Sequence, residues 1–327
     1  MVYNISAILH EGGDSYIIGC RDKPSVFVLN KTTRTIIKID YSFRQSIYDI
    51  FSFGKNMVAT VSAMKDYKDC INIFQINEST PHIHLFSFPS NPGSQETCGT
   101  FNSEMNMFVS GSYTGILRSY KINLDGTFTR LAITRTTGSS SSGITRVKVH
   151  PRIQNLLIVV EGKTISQYRL SESGEFESLG ELHGHPDHVN SINFSPDGTT
   201  MVSCSFDPKQ TDTIIVWKNN GLEPPVLTQI LRGHTLSVQS VAFSHDGTVL
   251  ASGSSDQTIR IWEKDGDEWI CKQVLTDPDS GPLHNSINAV IFDSTDPTLL
   301  VSGSSTGRVV FWRLSGGVWM RESVIVL

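Results

Sequence analysis

The chain has 327 residues, 38% hydrophobic and 18% charged, with 26 Gly and 13 Pro, the composition of a turn-rich globular protein. A formal net charge of −5 argues against nucleic acid as the main partner, because phosphate binding needs a broad basic surface. The cysteines Cys20, Cys70, Cys98, Cys204 and Cys271 show neither CxxC nor zinc-finger spacing and read as reduced, small apolar residues.

The N-terminus lacks a basic stretch followed by an apolar one, so no signal peptide is expected. No apolar run reaches the roughly 20 residues that span a bilayer. The default location is cytoplasmic, with the nucleus as the other candidate, and no membrane insertion is expected.

Short alternating apolar runs bounded by Gly, Asp, Asn and Ser recur along the chain, the pattern of half-buried strands joined by tight turns. Nothing reads as a long amphipathic helix. A first unit, near 3–42, opens on an inner strand at 3–9 and carries Leu29 at the end of its third strand; a second, near 46–90, carries Phe74 there. The third and fourth units, near 96–136 and 143–185, have Tyr120 and Tyr168 at that position. Arg118 to Arg152 holds seven basic residues and one acid, Asp125. Such a run is usually a solvated face, and the alternative reading is a contact for an acidic or phosphorylated partner segment. Within it, "TRTTGSSSSG" (134–143) reads as a flexible connection.

The last three units, near 188–234, 237–277 and 285–327, repeat one pattern: "HVNSINFSPDGTTMVSCSFD…TIIVWK", "SVQSVAFSHDGTVLASGSSDQTIRIWEK" and "SINAVIFDSTDPTLLVSGSSTGRVVFWR". Phe194, Phe243 and Phe292 are 49 residues apart, and Trp217, Trp262 and Trp312 are 45 and 50 apart. Periods of this size mean a propeller, solenoid or array. Each unit parses into four strands, the last unit ending in "VWMRESVIVL" (318–327).

This frame resembles the WD40-repeat family, with Gly184-His185 and Gly233-His234 near one end of the repeat. The closing Trp-Asp is degenerate here: Trp217-Lys218, Trp262-Glu263 and Trp312-Arg313. The resemblance implies an all-β fold, a single seven-bladed β-propeller over residues 1–327 with four antiparallel strands per blade. Six blades plus a divergent N-terminal piece is the other parse.

The resemblance also implies a buried hydrogen-bond chain of His, Ser, Asp and Trp in each full blade. Here that chain would be His234, Ser252, Asp256 and Trp262, preceded by His185, Ser203, Asp207 and Trp217 and followed by His284, Ser302 and Trp312. The family's binding positions, at the start of the inner strand and before the turn Asp, map to His188, Asn190 and Phe206, then Gln239 and Ser255, then Asn288 and Ser305. In earlier blades they map to Arg21, Tyr48, Tyr113, Thr145 and Glu161. Phe206, Tyr113, Tyr48 and Arg21 stand out, because aromatic and Arg side chains dominate binding hot spots.

Two motifs suggest chemistry. Gly303 to Gly307 satisfies GxSxG around Ser305, but that motif works where a strand turns into a helix, and here it falls between two strands. "HGHPDH" (183–188) offers His183, His185, Asp187 and His188 and reads as a loop before an inner strand rather than a metal site. The expected function is therefore a non-catalytic protein-interaction scaffold or adaptor without a cofactor, binding protein or peptide partners, with an architectural subunit of a coat or other large complex as the alternative. The ring is expected to close by side-chain packing between first and last blades, without an N-terminal strand completing the last blade.

Overall fold

The computed structural model describes residues 3–10, 14–21, 25–39, 47–52, 57–62, 71–75, 83–88, 96–123, 128–136, 143–206, 214–280 and 285–327. Among them are 28 strands and no helix. The strands form seven sheets, each of four antiparallel strands in simple up-and-down order. The inner strands are Ile5–His10, Ile47–Ser52, Glu96–Asn102, Ile144–Val149, Val189–Phe194, Val238–Phe243 and Ile287–Phe292. They neighbour one another in chain order, and the last lies against the first. The result is a closed seven-bladed β-propeller, an architecture in which blades radiate around a central channel.

Period-two alternation explains how one sheet serves two neighbours. On the second strand of blade 4, Leu157 and Val159 pack with blade 3, while Ile158 and Val160 pack with blade 5. The whole core follows this rule: the buried side chains fall into seven clusters, one for each seam between adjacent blades. Among the described residues no buried cluster lies apart from the seams.

The residue closing the third strand marks the same place in nearly every blade. Trp217, Trp262 and Trp312 each sit at a register shift against the outer strand, and so do Phe74, Tyr120 and Tyr168. A bulge there bends the outer strand and increases its twist. Leu29 of blade 1 pairs with Ile36 on an outer strand of only three residues, Ile36–Lys38, and shows no such shift.

The inner strand of blade 1 pairs within its own sheet, and Val318–Val326 forms the outer strand of blade 7. First and last blades meet through an apolar cluster that includes Ile5, Tyr16, Leu29, Val301 and Phe311. Polar contacts reinforce it. Tyr16 donates to Asp293, Lys31 lies 2.8 Å from the same carboxylate, and Arg34 pairs with Glu322 at 2.9 Å while stacking over Phe311.

Candidate functional site

Every inner strand begins with a bulge. In six blades the residue before it is a buried or inward β-branched residue, Ile5, Ile47, Ile144, Val189, Val238 or Ile287, and the next residue is skipped in the pairing register. In blade 3 the skipped residue is Thr97, after Glu96. The skipped residues are thus Ser6, Tyr48, Thr97, Thr145, Asn190, Gln239 and Asn288. A bulge of this kind re-aims a side chain that the pleat would otherwise direct into a sheet face.

Six of these seven line one cavity of about 620 Å³ at the mouth of the channel; the side chain of Tyr48 lies outside the described residues. Four of them also tie neighbouring blades together. Ser6 donates to Ile47 O at 2.9 Å, Thr97 to Ile144 O, Asn190 to Val238 O at 2.8 Å and Asn288 to Ile5 O at 3.0 Å. Their donors are spent on the next blade's backbone, so this ring is a rigid rim.

A second tier comes from the turn after each second strand. The backbone N–H of Arg21, Phe206, Ser255 and Ser305 donates to the carbonyl just before the inner strand, at Asn4, His188, Ser237 and Ser286, at 2.8 to 2.9 Å. Arg21 and Ser305 line the cavity, as do Tyr113 and His188. Phe206 is 45% exposed but outside the wall. Ser255 accepts from Gln239 Nε2 at 2.9 Å and contacts Ser286 at 3.0 Å.

Glu161 does not present itself on this face. It is buried, one residue short of the turn position, which in blade 4 is Gly162, and it accepts a hydrogen bond from Thr136. Burial pushes its carboxyl pKa up while Thr136 pulls it down. The residue ties down the end of the blade 3 outer strand.

Sequence reasoning missed Ser6, Thr97, Asn4, Glu96 and Arg146 in the wall. For Ser6 and Thr97 the available signal was positional, a polar residue directly after the first buried residue of the inner strand. Glu96 stands where six other blades have Ile or Val, and it is held by Arg118 at 2.6 Å, both side chains 3% exposed. Burial raises the Glu96 pKa, and Arg118 and Ser110 oppose the rise. The basic run 118–152 therefore forms no single surface: Arg118 is sequestered, Arg146 lines the cavity, and Lys121, Arg130, Arg135 and Arg152 are exposed elsewhere.

Beneath the face lie the hydrogen-bond chains. Ser203 Oγ meets His185 Nε2 at 2.6 Å and accepts from Trp217 Nε1 at 2.7 Å. In blade 6, Ser252 Oγ meets His234 Nε2 at 2.8 Å and Trp262 Nε1 at 2.9 Å, and His234 Nδ1 lies 2.8 Å from Asp256. Trp312 donates to Ser302 at 2.9 Å. Asp207 and His284 lie outside the described residues. In blade 7 Asn285 instead accepts from Thr306.

Ser305 lies in a turn between two strands, Leu299–Ser304 and Arg308–Ser315. In the 183–188 loop, His185 is engaged by Ser203 and His188 by Asp187 at 2.6 Å, while His183 is exposed. Among the described residues no three His, Cys, Asp or Glu converge as a metal site, and no helix is long and apolar enough to cross a membrane.

Residues 176–218 and 225–263 match the family model "WD domain, G-beta repeat". Each match covers the outer strand of one blade and the first three strands of the next, so the sequence repeat straddles a seam and links adjacent blades covalently. A stretch of 171 residues is 25% identical to a ribosome biogenesis protein WDR12 homolog from Chlamydomonas reinhardtii, covering 50% of this chain and 36% of that protein. A crystal structure of a protein from Lactobacillus plantarum superposes with a TM-score of 0.75 over 100% of this chain and 96% of the other at 16% identity, a likeness of fold alone. With seven four-stranded blades and the repeat matched at 176–218 and 225–263, the chain has the features of a WD40-repeat family member.

Proposed function

We propose that this propeller is a non-catalytic scaffold that binds protein or peptide segments on the face around the channel mouth and along the rim, within a multi-protein assembly in the cytoplasm or nucleus. The observation that carries the reading is the tier of bulge and turn residues around one 620 Å³ cavity. A concave site with few, fixed polar groups suits recognition, and loops on a rigid scaffold carry binding in many folds. Tyr113, 55% exposed, and Phe206, 45% exposed, offer aromatic surface of the kind that anchors interfaces. The likeness to a ribosome biogenesis protein supports partners that belong to a larger assembly.

The test is a triple variant, Arg21→Ala, Tyr113→Ala and Phe206→Ala, used as bait beside the wild type in affinity purification with mass spectrometry. Loss of one or more stoichiometric partners by a variant with unchanged circular dichroism supports the face. Retention of every partner overturns it.

A further inference from the structure

We propose that the channel-mouth cavity takes an anionic side chain of a partner peptide, a carboxylate or a phosphorylated hydroxyl, on Arg146 and Thr145 of blade 4. The inference rests on the scaffold reading of this face and names the chemical group it accepts.

Among the described side chains of the ring, Thr145 is the exception. Ser6, Thr97, Asn190 and Asn288 each hydrogen-bond the next blade's backbone, and Gln239 reaches blade 7 through Ser255. The Thr145 hydroxyl is buried and has no hydrogen-bond partner, a state that natural structures seldom leave without a reason. Thr145 itself lines the cavity.

Arg146, the next residue, is half-buried in the same wall. Its Nη1 donates to Thr145 O at 2.8 Å, and among the described residues it pairs with no carboxylate. Of the carboxylates nearby, Glu96 is held by Arg118 at 2.6 Å, Asp187 meets His188 at 2.6 Å, and Asp49, which with Arg146 acts electrostatically on buried Cys98, accepts from the Ile50 N–H and is not in the wall. Arg21 of blade 1 adds a second guanidinium to the lining.

The wall thus carries the guanidinium groups of Arg146 and Arg21 on a chain with net charge −5. A concave, low-dielectric wall focuses such a field, and a guanidinium grips a carboxylate or phosphate through two parallel N–H donors. An incoming oxyanion draws Arg146 from the Thr145 carbonyl and supplies the acceptor that the Thr145 hydroxyl lacks.

The probes are fluorescein-labelled hexaglutamate, an alanine-rich hexapeptide with one phosphoserine, and hexalysine, followed by fluorescence polarisation with the full chain. The expected result is saturable binding of at least one anionic probe, weakening as salt rises, and none of hexalysine. Arg146→Ala should bind about tenfold more weakly. Arg146→Lys should fall between, since a point charge cannot make the fork, and Thr145→Val should weaken binding several-fold while keeping shape. Lys121→Ala, an exposed basic residue outside the cavity, should bind as wild type does. Which probe binds assigns carboxylate or phosphate. Binding of neither anionic probe overturns the proposal, as does equal binding by wild type and the folded Arg146 and Thr145 variants. If partner capture still depends on the face while the anionic probes fail, this inference falls and the scaffold reading stands.

Discussion

Trp262 donates its indole N–H to the hydroxyl of Ser252 at 2.9 Å, ten residues back and one strand over. Ser252 is fully buried and also meets His234 Nε2 at 2.8 Å, so one oxygen serves two ring nitrogens. Ser252→Ala strands both, and a buried polar group without a partner costs about 1–3 kcal/mol. The expected loss is about 2–4 kcal/mol in urea unfolding. Trp262→Phe combined with Ser252→Ala leaves only His234 stranded, so the double variant should be less destabilised than the sum of the singles by about 1 kcal/mol or more. Strict additivity would show that the hydroxyl does not join the two rings.

Acid should weaken the ring through two aspartates. Burial alone would raise the pKa of Asp256, but hydrogen bonds from His234, Thr258 and the Thr235 N–H hold it well below the usual carboxylate range. Asp293 is likewise opposed by burial and then held low by Lys31, Tyr16 and Thr295. A depressed folded pKa stabilises above the unfolded value, about 3.9 for Asp, and that contribution is lost as pH falls below it. The urea midpoint should therefore drop steeply below about pH 4. Asp256→Asn and Asp293→Asn should each lie below wild type at pH 7 and approach it at pH 3. A gap independent of pH would contradict this account.

The sequence made the late blades readable because their chemistry is written in uncommon letters. His and buried Ser recur 18 residues apart in blades 5 to 7, with a Trp after each Ser whose indole N–H needs a partner. In blades 2 to 4 Phe74, Tyr120 and Tyr168 hold the same register shift, but without an indole the His, Ser and Trp set is not written there, and Ser110, ten residues before Tyr120, keeps part of it. The channel rim was legible at Thr145, Asn190, Gln239 and Asn288, and not at Ser6 or Thr97. A bulge is a backbone event that residues as different as Ser6, Tyr48, Thr97 and Gln239 accommodate. Glu161 lies one position before the turn residue because blade 4 turns at Gly162, an offset that the sequence pattern does not show. Arg146 was visible only as part of a charged run, since sequence alone does not show that Glu96 would sequester Arg118.

The seams depend on one small residue per second strand in four blades. A Cβ on Gly253 would sit 2.7 Å from Ile287 Cγ2, and Gly19, Gly111 and Gly303 face Ile50, Ile144 and Ile5 as closely. These contacts are side chain to side chain across a blade boundary, so added volume pries adjacent blades apart. Gly253→Val should destabilise by about 1–3 kcal/mol or more. Gly266→Ala, at a turn with open space around its Cβ position but φ +65, should cost about 1 kcal/mol through backbone strain alone. If both cost the same in urea, seam packing is not what the Gly253 position protects.

Ring closure can be tested apart from overall stability. Tyr16 and Asp293 stand 277 residues apart in sequence and meet across the seam of blades 1 and 7, with Lys31 on the same carboxylate. Tyr16→Phe removes a hydrogen bond to a buried charge, about 1.5–3 kcal/mol, while the ring face against Phe311 is kept. Because no strand from blade 1 pairs into blade 7 among the described residues, only side chains and the Asn288 contacts to Asn4 and Ile5 resist opening there. Hydrogen exchange in Tyr16→Phe should therefore rise together in the strands Ile5–His10 and Ile287–Phe292, with the strand Val238–Phe243 unchanged, as expected for a local cooperative opening. A uniform rise across all blades would mean that the variant lowers global stability and that this seam opens no more readily than the others.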